Sequence, residues 1–258
     1  MGTINLETRG EIAVLTLSAP PMNALDRSMM TALGACLDDL QAQGAIRAIV
    51  LTGDGQQAFS TGSDLREIQD LIHTQEGLRR KLEDDNAAFN RLATFPKPVI
   101  AAVEGLALGG GLELACCCDL IVCARNARLG LPEIRLGAFP GSGGTVRVTQ
   151  RVGIGRARQM MMLGRSIDAE QALAWGLVDF LAEPGEAFAR AEALARELAA
   201  GPAEALSSCK EALAATLALS PEDALDVAID LGARLGRSAE LAEGLTAFFQ
   251  KRNPRFLE

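Results

Sequence analysis

The chain has 258 residues, 48% hydrophobic and 22% charged, the proportions of an ordinary soluble globular protein rather than of a disordered one. Its 33 acidic and 25 basic residues leave a net charge of -8, which disfavours non-specific attraction to nucleic acid or to anionic membrane. A chain of this length forms one large domain, or a domain with an appendage, and buries roughly 70 to 75% of the surface it exposes when unfolded.

Apolar and polar residues alternate at Ile4 and Leu6 and again at Ile12, Val14, Leu15 and Leu17, which predicts two strands turning at Arg9-Gly10. Asp26 is placed to cap a helix running to about Gln43, with Met30, Leu33, Leu37 and Leu40 at helical spacing. Ala48 to Thr52 then reads as a buried strand ending at Gly53-Asp54-Gly55. A polar helix is predicted over Gln75 to Leu92, and Pro96-Lys97-Pro98 favours extended backbone leading into a strand at Val99 to Val103. After Gly109-Gly110-Gly111, the apolar run Leu112 to Cys118 predicts a short buried helix, and Asp119 to Ala124 a further strand. Strands and helices alternating in this way imply an α/β layered core.

Beyond Gly141 helix dominates. Asp168 with Gln171 makes a capping box for a helix ending at Gly176, and Leu177 to Leu181 is predicted as the last strand. Gly201-Pro202 marks a break that divides residues 1–200 from 201–258, and Ser220-Pro221 opens one of two or three C-terminal helices. That segment is too short and too helical to bury a core alone, so it is expected to pack on the main body or on another subunit. Met160-Met161-Met162 is expected in the core. The six arginines between Ile134 and Ile167, with Arg147 and Arg151 one helical turn apart, are expected to make a salt-bridged subunit contact.

The longest apolar stretch, Pro98 to Leu112, is interrupted by Glu104 and rich in glycine, unlike a spanning helix of about 20 residues. Met1 to Leu17 lacks a basic-then-apolar leader, and Leu6 occupies the Ser/Thr position of a myristoylation signal, so a cytoplasmic protein is expected. Cys36, Cys116, Cys117, Cys118, Cys123 and Cys209 show no CxxC pairing and read as buried free thiols. With His73 the single histidine, no metal site is expected.

Three glycine clusters invite comparison with phosphate loops, and none fits. Gly109-Gly110-Gly111 lacks the third glycine of GxGxxG, Gly141-Ser142-Gly143-Gly144 lacks the lysine of a P-loop, and neither Ser63 nor Ser142 sits in GxSxG. What remains is a set of carboxylates and glycines. Glu113 is followed by Leu114, Ala115 and three cysteines, and Glu133 lies among Leu131, Ile134 and Leu136. A carboxylate in apolar surroundings must be hydrogen-bonded or protonated. Two at one site handle a proton and a water between them, as general acid and base chemistry requires. The local sequence equally allows each to pair with an arginine such as Arg135 or to face solvent. Gly110, at the start of the Leu112 helix, is placed to aim an N–H at developing negative charge, and the loop Ala58 to Asp64 brings a second N–H from Ser63. Taken singly, glycine-rich loops are more often plain turns.

Six segments carry a wider resemblance: Ala58-Phe59-Ser60-Thr61-Gly62-Ser63-Asp64, Lys97 to Val103 (KPVIAAV), Ala107 to Ala115 (ALGGGLELA), Pro132-Glu133, Pro140 to Gly144 (PGSGG) and Ala172 to Asp179 (ALAWGLVD). Together, in order and spacing over essentially the whole chain, they resemble the crotonase, or enoyl-CoA hydratase/isomerase, family. The resemblance implies a crotonase-like spiral of repeated ββα units over residues 1–200. It also implies a C-terminal helical segment, 201–258, that builds homotrimers often paired into hexamers. The implied substrate is an acyl-CoA thioester, with coenzyme A part of the substrate and no separate cofactor; neither nucleic acid nor membrane is an expected partner.

Carried over by position, Ser63 and Gly110 donate the two backbone N–H groups that hold the thioester oxygen as an enolate develops. Glu113 and Glu133 match the two acids of the hydratases: both hold a water, Glu113 helps activate its attack at C3, and Glu133 delivers the proton to C2. Gly141 matches a position whose backbone helps place the water. Met22, Asp64, Leu65 and Arg66 fall among the substrate- and CoA-binding positions, Arg66 where the family has a basic residue near the CoA phosphates. Phe248 and Lys251 match its C-terminal Phe and Lys that reach CoA.

The chain departs from the family at Ala19 to Leu25 (APPMNAL), where a basic residue often precedes Asn-Ala-Leu and Met22 stands instead. Ser63 replaces a frequent alanine, which leaves the main-chain N–H in place. His73, in a segment where relatives line the acyl pocket, reads as a surface or pocket-wall residue rather than a base. The expected activity is reversible hydration of a 2-enoyl-CoA. The alternatives are a 3,2-enoyl-CoA isomerase, whose members commonly keep only one of the two acids, another CoA-thioester lyase of the family, or a non-catalytic acyl-CoA or RNA-binding protein.

Overall fold

The computed structural model describes residues 1–257. β1 (Thr3–Arg9) and β2 (Ile12–Ser18) form the antiparallel hairpin expected around Gly10. α1 (Arg27–Ala42) begins where the Asp26 side chain accepts a hydrogen bond from the Met29 amide, and it buries Met29, Met30, Leu33, Leu37 and Leu40 along one stripe. Burying one such leucine contributes roughly 1.5–3 kcal/mol relative to leaving it in water, so this stripe fixes the helix against the core.

Three successive units then repeat one plan, in which a longer strand joins a central sheet, a three-residue strand joins a second sheet, and helix follows. β3 (Ala48–Gly53) and β4 (Ala58–Ser60) lead to α2 (Leu65–Leu71) and α3 (Gln75–Ala93). β5 (Val99–Val103) and β6 (Leu106–Leu108) lead to α4 (Gly110–Ala115). β7 (Leu120–Ala124) and β8 (Arg128–Gly130) lead to a 3₁₀ turn (Glu133–Leu136), α5 (Gly144–Val152) and α6 (Ile154–Leu163). β9 (Ser166–Asp168), α7 (Ala169–Trp175) and β10 (Phe180–Ala182) complete the two sheets. The central sheet runs β1-β2-β3-β5-β7-β10, parallel from β2 onward, and the second runs β4-β6-β8-β9, with only β9 antiparallel. This is the spiral of ββα units that the resemblance implies.

α8 (Ala187–Ala199) lays Ala187, Ala191, Ala195 and Ala199 over β3, β5 and β7. Alanine at every fourth position gives one smooth helix face that sits close to the sheet. α9 (Ala203–Ala218), α10 (Pro221–Leu235) and α11 (Ala239–Gln250) form the C-terminal segment, with Ser220 capping α10 and Pro221 at its first position. Lys210 ties α9 to the body, donating to Asp119 Oδ2 at 2.7 Å and to the Lys97 carbonyl at 2.9 Å. Among the described residues no helix is long and apolar enough to cross a membrane.

Some expectations shift. The helix expected over Leu112 to Cys118 starts at Gly110 and ends at Ala115, because the Cys117 and Cys118 amides turn back to Leu114 and Ala115 and tighten the chain ahead of β7. The strand expected at Leu177 to Leu181 is only Phe180–Ala182. Gly176 takes a left-handed conformation, and the Leu177 amide closes onto Ala172, so Leu177 and Val178 are buried in a turn. Of the methionine triplet Met160 is buried in the core and Met161 packs against it half-buried, while Met162 points to solvent. Cys209 is exposed and Cys36 half-buried; the other four thiols are buried. Arg147 and Arg151 are committed within the chain, Arg147 to the Ser142 carbonyl and Asn90, and Arg151 to Asp179, Cys118 and Asp119.

Candidate active site

The winding brings the second strand of each unit to one place. β4 runs on to Gly62-Ser63, β6 to Gly109-Gly110 and β8 to Pro132-Glu133, so three sequence-distant loops leave the same end of one parallel sheet. Loops at that end of parallel strands are where α/β folds commonly place ligands.

The first two loops meet through glycine. Gly62 holds φ +91°, and a Cβ there would lie 2.8 Å from the Gly110 nitrogen. Gly109 also holds a positive φ and precedes α4, so Gly110 is the first helical residue and its amide has no intrahelical acceptor. The Ser63 nitrogen lies 3.5 Å from where a Gly110 Cβ would sit. Leu25 brackets Ser63, donating to the Gly62 carbonyl and accepting from the Asp64 amide, which leaves the Ser63 amide itself unengaged. Among the described residues neither the Ser63 nor the Gly110 amide donates to any protein acceptor. Asn23 holds this loop from behind. Fully buried, it donates to the carbonyls of Asp54 and Ala58 and accepts from the Ala19 amide.

Glu113 lies one turn into α4 and is 2% exposed. Its Oε1 accepts from the Ser142 amide at 2.9 Å and the Gly144 amide at 2.7 Å, so the PGSGG loop is its anchor. Burial raises its pKa to about 7 against those two amides, and the neighbouring charges of Glu133 and Asp85 push the same way. Glu133 opens the 3₁₀ turn, with Oε1 3.1 Å from where a Cβ on Gly109 would sit. Its Oε2 is buried with no hydrogen-bond partner, and burial raises this pKa as well. Among the described residues neither acid pairs with an arginine, Arg135 included. Both carboxyls are thus held toward the protonated form, and the unpartnered oxygen of Glu133 is suited to a water or a proton.

Gly141 lies beside this pair. Its carbonyl accepts from Asn86 Nδ2 at 2.9 Å, and Leu82 Cδ2 lies 3.0 Å from where a Cβ on Gly141 would sit. Leu82 and Asn86 are also the inner end of a groove of about 510 Å³ that runs along α3 to Ile72, Thr74, Leu78, Arg79 and Glu83. His73 is exposed in the turn between α2 and α3. Met22 sits against the amide loop, its carbonyl accepting from the Thr61 amide. Asp64 caps α2 by accepting from the Arg66 amide, and the side chains of Leu65 and Arg66 are exposed beside it.

The structure thus brings together Ser63, Gly110, Glu113, Glu133 and Gly141, with Met22, Asp64, Leu65 and Arg66 nearby in the same loop system. It does not bring Phe248 and Lys251 to them: both are exposed on or just after α11, which touches the start of α9 through Glu240 and the C-terminal tail through Glu243. Sequence reasoning passed over Asn23 as a structural residue, and it passed over Asn86, Asp85 and Lys81. Lys81, Asp85 and Asn86 are polar residues in a helix read only as polar, and nothing in that pattern distinguishes its buried polar positions from its wet ones.

A model of the family described as enoyl-CoA hydratase/isomerase matches residues 7–258. The chain belongs to the enoyl-CoA hydratase/isomerase family. Within it, the short-chain-enoyl-CoA hydratase of Clostridium acetobutylicum is 33% identical, covering 98% of this chain and 96% of its own length. The 2,3-dehydroadipyl-CoA hydratase of Escherichia coli is 36% identical over 99% of both chains. The crystal structure of enoyl-CoA hydratase from Bacillus anthracis matches this fold with a TM-score of 0.93 at 30% identity, covering 98% of each chain.

Proposed function

We propose that this member of the enoyl-CoA hydratase/isomerase family is a hydro-lyase that adds water reversibly across the 2,3 double bond of a 2-enoyl-CoA thioester. The observation that carries this reading is a buried and a half-buried acid beside two unengaged amides, with Glu113 anchored through one oxygen and Glu133 left with a buried oxygen unpartnered. The thioester oxygen sits between the Ser63 and Gly110 amides. A water held by Glu113 and Glu133 gives one proton to the Glu113 carboxylate as its oxygen bonds to C3. The electron pair of the double bond moves to C2 and the thioester oxygen, where the two amides hold the enolate, and Glu133 delivers its proton to C2. Donors of this kind contribute about 10²–10³ each in rate and positioned acid-base groups about 10²–10⁴.

Isomerisation needs one base to shuttle a proton, and two acids around one water favour hydration. Coenzyme A arrives as part of the substrate and no further cofactor is required. The groove along α3 takes the acyl chain, and Met22, Asp64, Leu65 and Arg66 flank the CoA side. We assign residues 1–200 to the catalytic core and 201–258 to assembly, as a trimer or a pair of trimers. The exposed Leu213, Leu217, Leu225, Ile229, Phe248 and Phe249 support that assignment, and assembly lets Phe248 and Lys251 reach a neighbouring subunit's CoA. We place the enzyme in the cytoplasm, and its charge of -8 disfavours attraction to nucleic acid or anionic membrane. The test is loss of the conjugated-thioester absorbance of crotonyl-CoA: rapid loss with the wild type and its abolition in Glu133→Gln establish hydration. Binding of crotonyl-CoA without any loss withdraws it.

A further inference from the structure

Behind the PGSGG loop lies a second charged cluster that water addition does not use. Lys81 and Asp85, one turn apart on α3, form an ion pair with Nζ 3.1 Å from both carboxylate oxygens, and their side chains are only 3% and 7% exposed. Pairs at this spacing usually face water. A buried pair stabilises a fold no better than apolar residues of similar size, so stability alone does not explain this one.

Its surroundings point toward Glu113. The Ser142 hydroxyl donates to Asp85 Oδ2 at 3.5 Å, a long contact, while the Ser142 amide donates to Glu113 Oε1 at 2.9 Å. The neighbouring α3 residues hold the same loop, Asn86 through the Gly141 carbonyl and Leu82 by packing on Gly141. α3 therefore grips two consecutive residues of the loop that anchors Glu113. We propose that Lys81 and Asp85 are a positioning pair for Glu113, acting through Ser142 and through the field of their two charges; this rests on the hydratase reading of the site.

Charged groups of α1, α2, α4 and α5 surround the pair, among them Arg147 of α5, which donates to the Ser142 carbonyl. Glu67 of α2 and Glu113 of α4 act on Asp85 from two directions, and Arg27 of α1 with Arg80 and Asp84 of α3 line the cleft on its outer side. Around Glu113 the facing groups are Glu133, Asp85 and the two amides. The negative charge of Asp85 disfavours a second negative charge at Glu113, and Lys81 opposes that effect. Removing the Asp85 charge therefore lowers the titration of Glu113, and removing Lys81 leaves Asp85 a buried carboxyl without its cation, which takes up a proton and loses the same charge.

The experiment compares Asp85→Asn, Lys81→Met, the double variant and Ser142→Ala by the pH dependence of kcat/KM for crotonyl-CoA. Beside it, Glu113 is titrated by NMR of ¹³C-labelled glutamate carboxyls, its signal assigned with Glu113→Gln. Asp85→Asn is expected to move the alkaline limb and the Glu113 titration to lower pH by at least about half a pH unit, and Lys81→Met, in which the unpaired Asp85 is protonated, to move them in the same direction. In the double variant the downward shift persists, while kcat falls by about tenfold and KM stays within about twofold, the pattern of a misplaced reacting group. Ser142→Ala, which keeps the amide and the pair, lowers kcat and leaves the titration in place. Folded single variants that shift neither readout overturn the proposal. If the single variants do not fold, a double variant with wild-type kcat overturns it, since that variant leaves no buried charge unpaired. A wild type without hydratase activity withdraws the hydratase reading alone, and the NMR titration still decides whether the pair sets Glu113.

Discussion

Glu113 Oε1 and the Gly144 amide nitrogen stand 2.7 Å apart, and a Cβ on Gly144 would come within 2.9 Å of that same oxygen. The anchor of the acid thus requires a residue with no side chain at that position. The same Cβ would also lie 2.8 Å from the Pro140 Cβ and 3.0 Å from the Glu113 Cγ, so there is no direction in which it can be accommodated cheaply. Gly144→Ala is expected to cost about 1–3 kcal/mol in stability through overpacking. Displacing the acid should lower kcat by about 100-fold or more. Thermal unfolding and steady-state hydration of crotonyl-CoA measure the two effects, and normal turnover in a folded Gly144→Ala protein would show that the anchor is not needed.

The two acids make separable predictions. Glu113→Gln keeps an oxygen that accepts from Ser142 and Gly144 but cannot take a proton from water, whereas Glu133→Gln cannot give one to C2. Each is expected to slow hydration by at least about 100-fold with little change in CoA-ester affinity. Calorimetric binding of a saturated acyl-CoA checks the second half of this statement. Near-normal turnover in either variant removes that residue from the mechanism.

The pKa directions fix the sign of two pH effects. Both carboxyls are raised by burial, Glu113 to about 7, and hydration needs a proton on the pair, so kcat/KM is expected to fall on the alkaline side as the last proton leaves it. Stability responds to the same group. The folded protein holds a proton on Glu113 between its unfolded value of 4.5 and about 7, so this contribution to stability is complete below 4.5 and is lost as pH rises to about 7. The loss amounts to about 3 kcal/mol. Glu113→Gln is therefore expected to be more stable than the wild type at pH 8 and to lose that advantage near pH 4.5, as followed by chemical denaturation. An equal advantage at both pH values would contradict the assignment of Glu113 as a buried, raised acid.

Long elements were legible in the chain because their patterns repeat. The stripe Met30, Leu33, Leu37 and Leu40 marks α1, and Val99–Val103 is apolar throughout. β4, β6, β8 and β9 were not, since three residues are too few to display an alternation. Yet β4, β6 and β8 carry Ser63, Gly110 and Glu133 to one place, so the site was read from motif order and not from strand pattern. What motif order could not supply was the support: Asn23, Asp85 and Lys81 act through buried polar contacts and Asn86 through a half-buried one, and burial of a polar residue is set by tertiary packing.

Lys251 separates a structural role from a binding role. It ends α11 in the left-handed region, φ +54°, with its amide closing onto Ala247 and Phe248. A side chain there costs about 1 kcal/mol relative to glycine. The freer unfolded chain offsets about 0.4–1 kcal/mol of what glycine recovers. Lys251→Gly should therefore leave Tm unchanged or slightly raised. If its ammonium meets a phosphate of CoA bound in a neighbouring subunit, the same substitution should raise KM for crotonyl-CoA several-fold, leave kcat unchanged and flatten the dependence of KM on salt. Lys251→Arg should retain most of the affinity. A Lys251→Gly enzyme with unaltered KM would reduce this residue to a helix terminus and place the CoA phosphates elsewhere, with Arg66→Ala the next variant to measure.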